Sequence, residues 1–205
     1  MPEMASDLQV LVRRGPDITE WLDAVAHLRA KAFRSFPYLY EGDAEYEKHY
    51  LEMYARAEDS LLVLVLADDL VVGASTGLPL ADAQPAFQGP LADQGFPVEA
   101  VFYCGESILL PAYRGLGLGH RFFDEREAHA RSLGGIQWTS FASVDRAEDD
   151  PRCPSNYRSN EPFWTRRGYV RQPNMKVRLP WKQVGESSET EQTLTMWLHA
   201  LENAK

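Results

Sequence analysis

The sequence predicts a mixed α/β fold built around one sheet. Two observations predict it. Short apolar or β-branched runs recur at "LQVLVRR", "SLLVLVLADDLVVGASTGL", "AVFYCGESILL" and "IQWTSFASV". Between them lie stretches whose apolar residues fall at helical spacing. Strands alternating with helices close most simply around a single sheet. The 205 residues suit one domain, 1–205.

Leu8 to Arg14 read as the first strand. "PDITE" follows, with Asp17 as an N-cap and Glu20 three residues later. Ile18, Trp21, Leu22, Val25, Leu28 and Ala32 then keep helical spacing until Pro37 ends the pattern. A second helix is expected from Asp43, its stripe of Tyr46, Tyr50 and Tyr54 read as packing. Two apolar runs flanking Asp68-Asp69 predict a hairpin, and their unbroken apolar character says that both sheet faces are covered. Residues 79–98, rich in proline, read as a long surface loop. "AVFYCGESILL" reads as one strand running into "PAYRGLGLGH". A helix is expected from Gly117 to Gly134-Gly135, with Leu118, Phe122, Phe123, Ala130 and Leu133 inward. "IQWTSFASV" is a strand, and the polar, proline-broken stretch after it is a loop. "FWTRR" predicts a short helix, and "GYVRQ" with "MKVRLPW" a closing pair of strands. The tail "SSETEQTLTMWLHALE" reads as a capped amphipathic helix, a C-terminal extension at about 187–203 with Leu194, Trp197, Leu198 and Leu201 on one face. Such a helix would cover the sheet or contact a second subunit in a homodimer.

Composition narrows the function. A net charge of −9 argues against nucleic acid, which needs a basic footprint, and mildly favours cationic partners. No run of eighteen apolar residues occurs, so no membrane span is expected, and "MPEMASDLQV" lacks a signal-peptide pattern. Cys104 and Cys153 lie far apart and read as reduced thiols of a cytoplasmic protein. No His-Glu-x-x-His or paired Cys/His spacing is present, so no metal is expected.

The chemistry concentrates in "PAYRGLGLGH", Pro111 to His120. Glycines at 115, 117 and 119 stand between a strand and a helix. Without a Cβ they let a ligand approach the main chain. The first N–H groups of a helix have no internal partners and, with the helix dipole, attract an anion. A diphosphate is the natural occupant, with Arg114 at its rim. A P-loop requires Gly-Lys-Ser/Thr, but His120 and Arg121 follow Gly119. The dinucleotide pattern G-x-G-x-x-G fails in both registers, meeting His120 or Phe122 where its third glycine belongs.

The surviving pattern, R-x-x-G-x-G at Arg114, Gly117 and Gly119 after "LLPAY", resembles the coenzyme A loop of the GNAT N-acetyltransferase superfamily. "FWTRRGYV" resembles that family's late helix-turn-strand signature, and the two stand in the expected order over residues 8–180. The resemblance implies a mixed, mostly antiparallel sheet, splayed at its middle and flanked by helices on both faces. It implies acetyl-CoA as co-substrate, with its diphosphate on the main-chain N–H groups of Arg114, Gly115, Leu116, Gly117, Leu118, Gly119 and His120. It further implies that Leu109 and Leu110 bond the pantetheine arm through their backbone, and it places Trp164 with the coenzyme-binding residues. An amine of a small acceptor would attack the thioester directly. A protein N-terminus or a lysine are alternative acceptors, and an acyl-CoA sensor without turnover is an alternative function.

The attacking amine must lose a proton, and the leaving thiolate must gain one. Glu106, a lone acid in an apolar strand, is the candidate base, because partial burial raises a carboxyl pKa. The other reading of Glu106 is a structural carboxylate, and Glu99 and Tyr103 compete with it. The family's late signature commonly carries a tyrosine acid where this chain has Trp164, whose indole has no proton to transfer. Tyr169, Tyr157 or water are the substitutes. Cys104 reads as a small buried hydrophobe rather than a nucleophile. "DRAEDD" reads as a solvated loop, with the gathering of a cationic substrate as its alternative.

Overall fold

The computed structural model describes residues 8–202. Residues 1–7, most of the segment read as lacking a signal pattern, and residues 203–205 lie outside the described residues. Eight strands form one sheet: β1 (Leu8–Arg14), β2 (Leu61–Ala67), β3 (Leu70–Pro79), β4 (Val101–Tyr103), β5 (Ser107–Leu109), β6 (Trp138–Val144), β7 (Val170–Lys182) and β8 (Glu189–Ala200). Their order is β1-β2-β3-β4-β6-β8-β7, with β5 also paired to β3. Only β4 and β6 run parallel. Helices α1 (Leu22–Phe33), α2 (Ala44–Arg56) and α3 (Pro85–Ala92) cover one face, and α4 (Leu118–Ser132) and α5 (Glu161–Arg166) the other. No described helix is long and apolar enough to cross a membrane.

β2 shows why its sequence is apolar throughout. Leu62, Leu64 and Leu66 enter the core under α1 and α2, while Leu61, Val63, Val65 and Ala67 enter the core under α4. A strand buried on both faces needs no polar alternation. α2 begins as its sequence predicts, with the Asp43 carboxylate accepting from Tyr46 N–H at 2.9 Å.

Four expectations are corrected. The tail is strand β8 and not a helix, because it lies between β6 and β7. Leu194, Met196 and Leu198 face one core and Trp197 the other, so the spacing that mimicked a helix is a strand covered on both sides. "GYVRQ" and "MKVRLPW" do not pair with each other. From Val170 onward they belong to the single strand β7, which pairs with β8 and breaks register between Gln172 and Lys176. Pro173, which has no N–H for a ladder, lies in that break. Asp17 is not an N-cap but lies within a 3-10 turn over Gly15–Trp21. The 79–98 loop carries α3 and short 3-10 turns at either side.

The remaining difference positions the site. "AVFYCGESILL" is not one strand but two, β4 and β5, joined by Cys104-Gly105-Glu106. Leu78 faces Tyr103 while Ser75 faces Ser107, so three steps along β3 match four along its partner. One extra residue makes this a bulge, a feature that re-aims side chains. Gly105 permits it, since a Cβ there would overlap the Tyr54 hydroxyl.

Candidate functional site

The bulge opens the sheet. β4 runs beside β6, and Cys104 N–H still donates to Ser140 O at 2.7 Å. Beyond it β5 follows β3 while β6 follows β8, so the two part. Glu106 O and Leu110 N–H bond to β3. By strand alternation the N–H groups of Ser107 and Leu109 therefore face the gap. A cavity of about 160 Å³ fills the wedge, lined by Cys104, Gly105, Glu106, Ser107, Phe123, Arg126, Phe141, Ala142 and Trp164 among others.

At the far end of β5 the chain makes a 3-10 turn over Pro111–Tyr113 and enters the glycine loop. Gly115 (φ 80°) and Gly117 (φ 79°) adopt the left-handed backbone that favours glycine. A Cβ at either would meet no atom within 4 Å, so the space above the loop is open. Gly117 caps α4 without any side-chain bond, and no acidic residue stands in the first turn. Free N–H groups and a positive dipole end thus face solvent, as an anion site requires.

Glu106 lies on the bulge and touches two cavities. Besides the wedge it lines a second cavity of about 270 Å³ on the α1–α2 face. That cavity is walled by aromatic rings from distant segments, among them Phe33, Tyr38, Tyr40, Tyr50, Phe87, Tyr103 and Trp181. Inside it Arg29 pairs with both Glu106 and Glu47, the latter at 2.5 Å. Its guanidinium lies 4.5 Å from the Tyr50 ring centroid and 4.8 Å from that of Phe33. Burial pushes the Glu106 carboxyl above the usual carboxylate range, with Arg29 opposing. Two carboxyl groups stand against one guanidinium among π faces, an environment suited to a further cation. Tyr38 stands at both cavities, its hydroxyl pushed up to about 12 by burial and by Glu106. The strap that carries Tyr38 is held by Arg146, which donates to the carbonyls of Pro37 and Tyr38 at 2.5 and 2.7 Å.

No family model and no curated relative matches the sequence. Solved structures do match. A ribosomal-protein-alanine N-acetyltransferase from Brucella melitensis is 14% identical with a TM-score of 0.60, covering 93% of this chain and 99% of its own. A GNAT-family acetyltransferase from Streptococcus pneumoniae is 11% identical with a TM-score of 0.56, covering 95% and 100%. The GphF GNAT-like decarboxylase in complex with isobutyryl-CoA is 19% identical with a TM-score of 0.58, covering 95% and 100%. This chain has the GNAT fold.

Within the GNAT fold, the residues singled out in the sequence separate into groups. Arg114, Gly115, Leu116, Gly117, Leu118, Gly119 and His120 form the loop and the first turn of α4. Leu109 and Leu110 lie along the gap's edge, but Leu110 N–H is committed to Val72 O and Leu109 O accepts from Arg114 Nε at 3.1 Å. Trp164 lines the wedge, packed edge-on against Phe141 and Trp197. Tyr157 lines it as well. Tyr103 does not share the wedge: it faces the aromatic cavity, against Phe87 at 4.6 Å between centroids. Tyr169 lies away from both cavities, buried in the core under α4, where its hydroxyl bonds Thr139 at 2.8 Å and donates to Glu127 at 3.4 Å. That position removes it as a candidate acid. Glu99 is exposed on a turn before β4. Burial pushes the Cys104 thiol up, which keeps it protonated.

Sequence reasoning missed Arg29, Glu47, Tyr38 and Arg126. Three of them carried a readable signal: a charged residue on an otherwise apolar helical stripe. Arg29 follows Leu22 and Val25 on α1, Glu47 precedes Leu51 and Tyr54 on α2, and Arg126 stands between Phe122 and Ala130 on α4. A charge on such a stripe is paired within the fold or waits for a ligand. Tyr38 carried no such signal, because a strap and not a helix positions it.

Proposed function

We propose that this protein is a coenzyme A-dependent N-acyltransferase that moves an acyl group, acetyl in the simplest case, to the primary amine of a small acceptor. The observation that carries this reading is Glu106, which stands where the wedge between β5 and β6 meets the aromatic cavity. The glycine loop fits a diphosphate, since its backbone is left-handed and the space above it is open. The N–H groups of Ser107 and Leu109 suit an extended arm lying along β5 as a missing strand would.

When bound, acyl-coenzyme A would supply a thioester carbonyl open to direct attack. The aromatic cavity receives the ammonium form of the acceptor, drawn by π faces and by the excess negative charge. Glu106 takes the first proton, which the ammonium must lose before it attacks, and burial raises its carboxyl in the direction that favours holding that proton. The new C–N bond then replaces the C–S bond, the nitrogen gives up its second proton, and the thiolate takes up one, so that protons balance. Tyr157 and Tyr38 are the hydroxyls at the wedge that can supply it.

The test is titration calorimetry of the purified protein with coenzyme A and acetyl-CoA, followed by thiol release against a panel of primary amines. Binding together with amine-dependent thiol release is expected. Binding without release under any amine would make the protein an acyl-CoA sensor, and absence of binding would remove the coenzyme reading altogether.

A further inference from the structure

Two arginines are buried at the site, and they differ in one respect. Arg29 has two carboxylate partners. Arg126, only 2% exposed, forms no ion pair among the described residues. The acids nearest it in sequence are taken: Asp124 and Glu127 pair with Arg167, and Glu125 with Arg121. Arg126 spends Nη1 on Ser107 Oγ at 2.8 Å and Glu106 O at 3.3 Å, and its plane packs over Phe123 with 4.4 Å to the ring centroid. Its Nε has no partner. A permanent charge held in a fold without a counter-ion is costly, and such charges are kept where a ligand completes them.

The position says which part of a ligand that would be. Arg126 lines the wedge at the bulge end of β5, bonded to Glu106 O and Ser107 Oγ. The diphosphate loop stands at the opposite end, beyond Leu109 and Pro111. An arm entering from the loop along β5 therefore brings its acyl end, and not its phosphates, to Arg126. A planar guanidinium that lines the wedge without an ion-pair partner among the described residues can meet a carboxylate there as a fork of charge-assisted bonds.

We propose that Arg126 is a specificity-determining residue for the acyl donor, and that it selects acyl groups ending in a carboxylate, of the malonyl or succinyl class, over neutral ones. This rests on the coenzyme A reading above. The transfer chemistry is unchanged: the amine displaces the thiolate, and the distal carboxylate stays on the acyl group.

The test measures the affinities of coenzyme A, butyryl-CoA, malonyl-CoA and succinyl-CoA for the full chain by calorimetry. A carboxylated donor is expected to bind about tenfold or more tightly than butyryl-CoA. Arg126→Met, apolar on an apolar stripe, should erase that preference and leave free coenzyme A affinity unchanged. Arg126→Lys keeps the charge but loses the fork. It should weaken the preference, and it serves if the Met variant does not fold. Equal affinities for neutral and carboxylated donors, with coenzyme A still bound, overturn the proposal and leave the transferase reading standing. Equal donor affinities with thiol release lost only in Arg126→Met would give the guanidinium to the departing thiolate instead, and also overturn it. If no coenzyme A species binds, both readings fall together.

Discussion

The cavity facing α4 and the cavity facing α2 share Tyr38, Gly105, Glu106 and Ala142, yet they are built from different material. The first continues into a contiguous run of main chain, from β5 through the glycine loop to the first turn of α4. The second is assembled from side chains that the fold gathers from α1, the strap after it, α2, α3, β4 and β7. Main-chain sites depend on local backbone conformation and therefore on local sequence. Side-chain pockets depend on tertiary contacts and leave no contiguous trace. If this division holds, mutations should damage one side and spare the other.

The largest expected effect falls on the cavity facing α2. Arg29→Met leaves Glu47 and Glu106 buried and facing each other without a cation. Removing one partner of a buried ion pair costs about 3–5 kcal/mol. Urea denaturation should show a loss of that order, and a loss below about 1 kcal/mol would mean that the ion cluster does not hold the wall together.

Glu106→Gln cuts at the junction. The fold should survive, because Arg29 keeps Glu47. Turnover should fall by about 10²–10⁴, the usual contribution of a general base, with acyl-CoA affinity unchanged. The pH profile supplies a second reading. The base proposed at Glu106 would act only when ionised, and burial raises its pKa. The acid limb of kcat/KM should therefore lie above the ordinary carboxylate range, activity falling as pH drops through it. That limb should vanish in the Gln variant. Because the folded carboxyl binds its proton more tightly than the unfolded one, this group's contribution to stability is full at low pH and is lost as pH rises through the raised pKa.

Gly117→Val attacks the cofactor side alone. A branched side chain at φ 79° is strained, and it would project into the open space above the loop. Calorimetry should show at least about tenfold weaker acyl-CoA binding, equivalent to about 1.4 kcal/mol. The aromatic cavity should be untouched, with the fluorescence of its tyrosines and Trp181 unchanged.

The same division explains what was legible in the sequence. The loop, the β2–β3 hairpin, the start of α2 at Asp43 and α4 follow from neighbouring residues, and the structure contains them. β8 misled because it is central. With both faces buried it shows no polar alternation, and Leu194, Trp197, Leu198 and Leu201 fall by coincidence at helical spacing. Thr190, Thr193 and Thr195, β-branched and poor helix formers, were the available counter-signal. Glu106 was legible as a lone acid, but its partners were not, since Arg29 lies on another helix and Glu47 on a third element. Tyr169 lies on the same face as the wedge, behind Phe123 and Phe141, and its place in the sequence signature does not tell that its hydroxyl is committed to Thr139 and Glu127.

The smallest expected effect tests the comparison most finely. Asp43 touches neither cavity, but its carboxylate caps α2, the helix that carries Glu47 and Tyr50 into the wall of the aromatic cavity. Asp43→Ala leaves a first-turn N–H without its acceptor, which costs about 1 kcal/mol. A chain of this size should then melt about 2–4 °C lower. Fraying at that end loosens Glu47, three residues into the helix and buried, and with it the hold on Arg29. KM for the acceptor amine should therefore rise while acyl-CoA affinity stays fixed, because α4 and the glycine loop lie on the opposite face. Asp43→Asn, which still accepts from the Tyr46 N–H, should restore both melting temperature and KM. A variant whose acyl-CoA affinity fell in step with its KM would show instead that the two sides are mechanically one, joined through the bulge at Gly105.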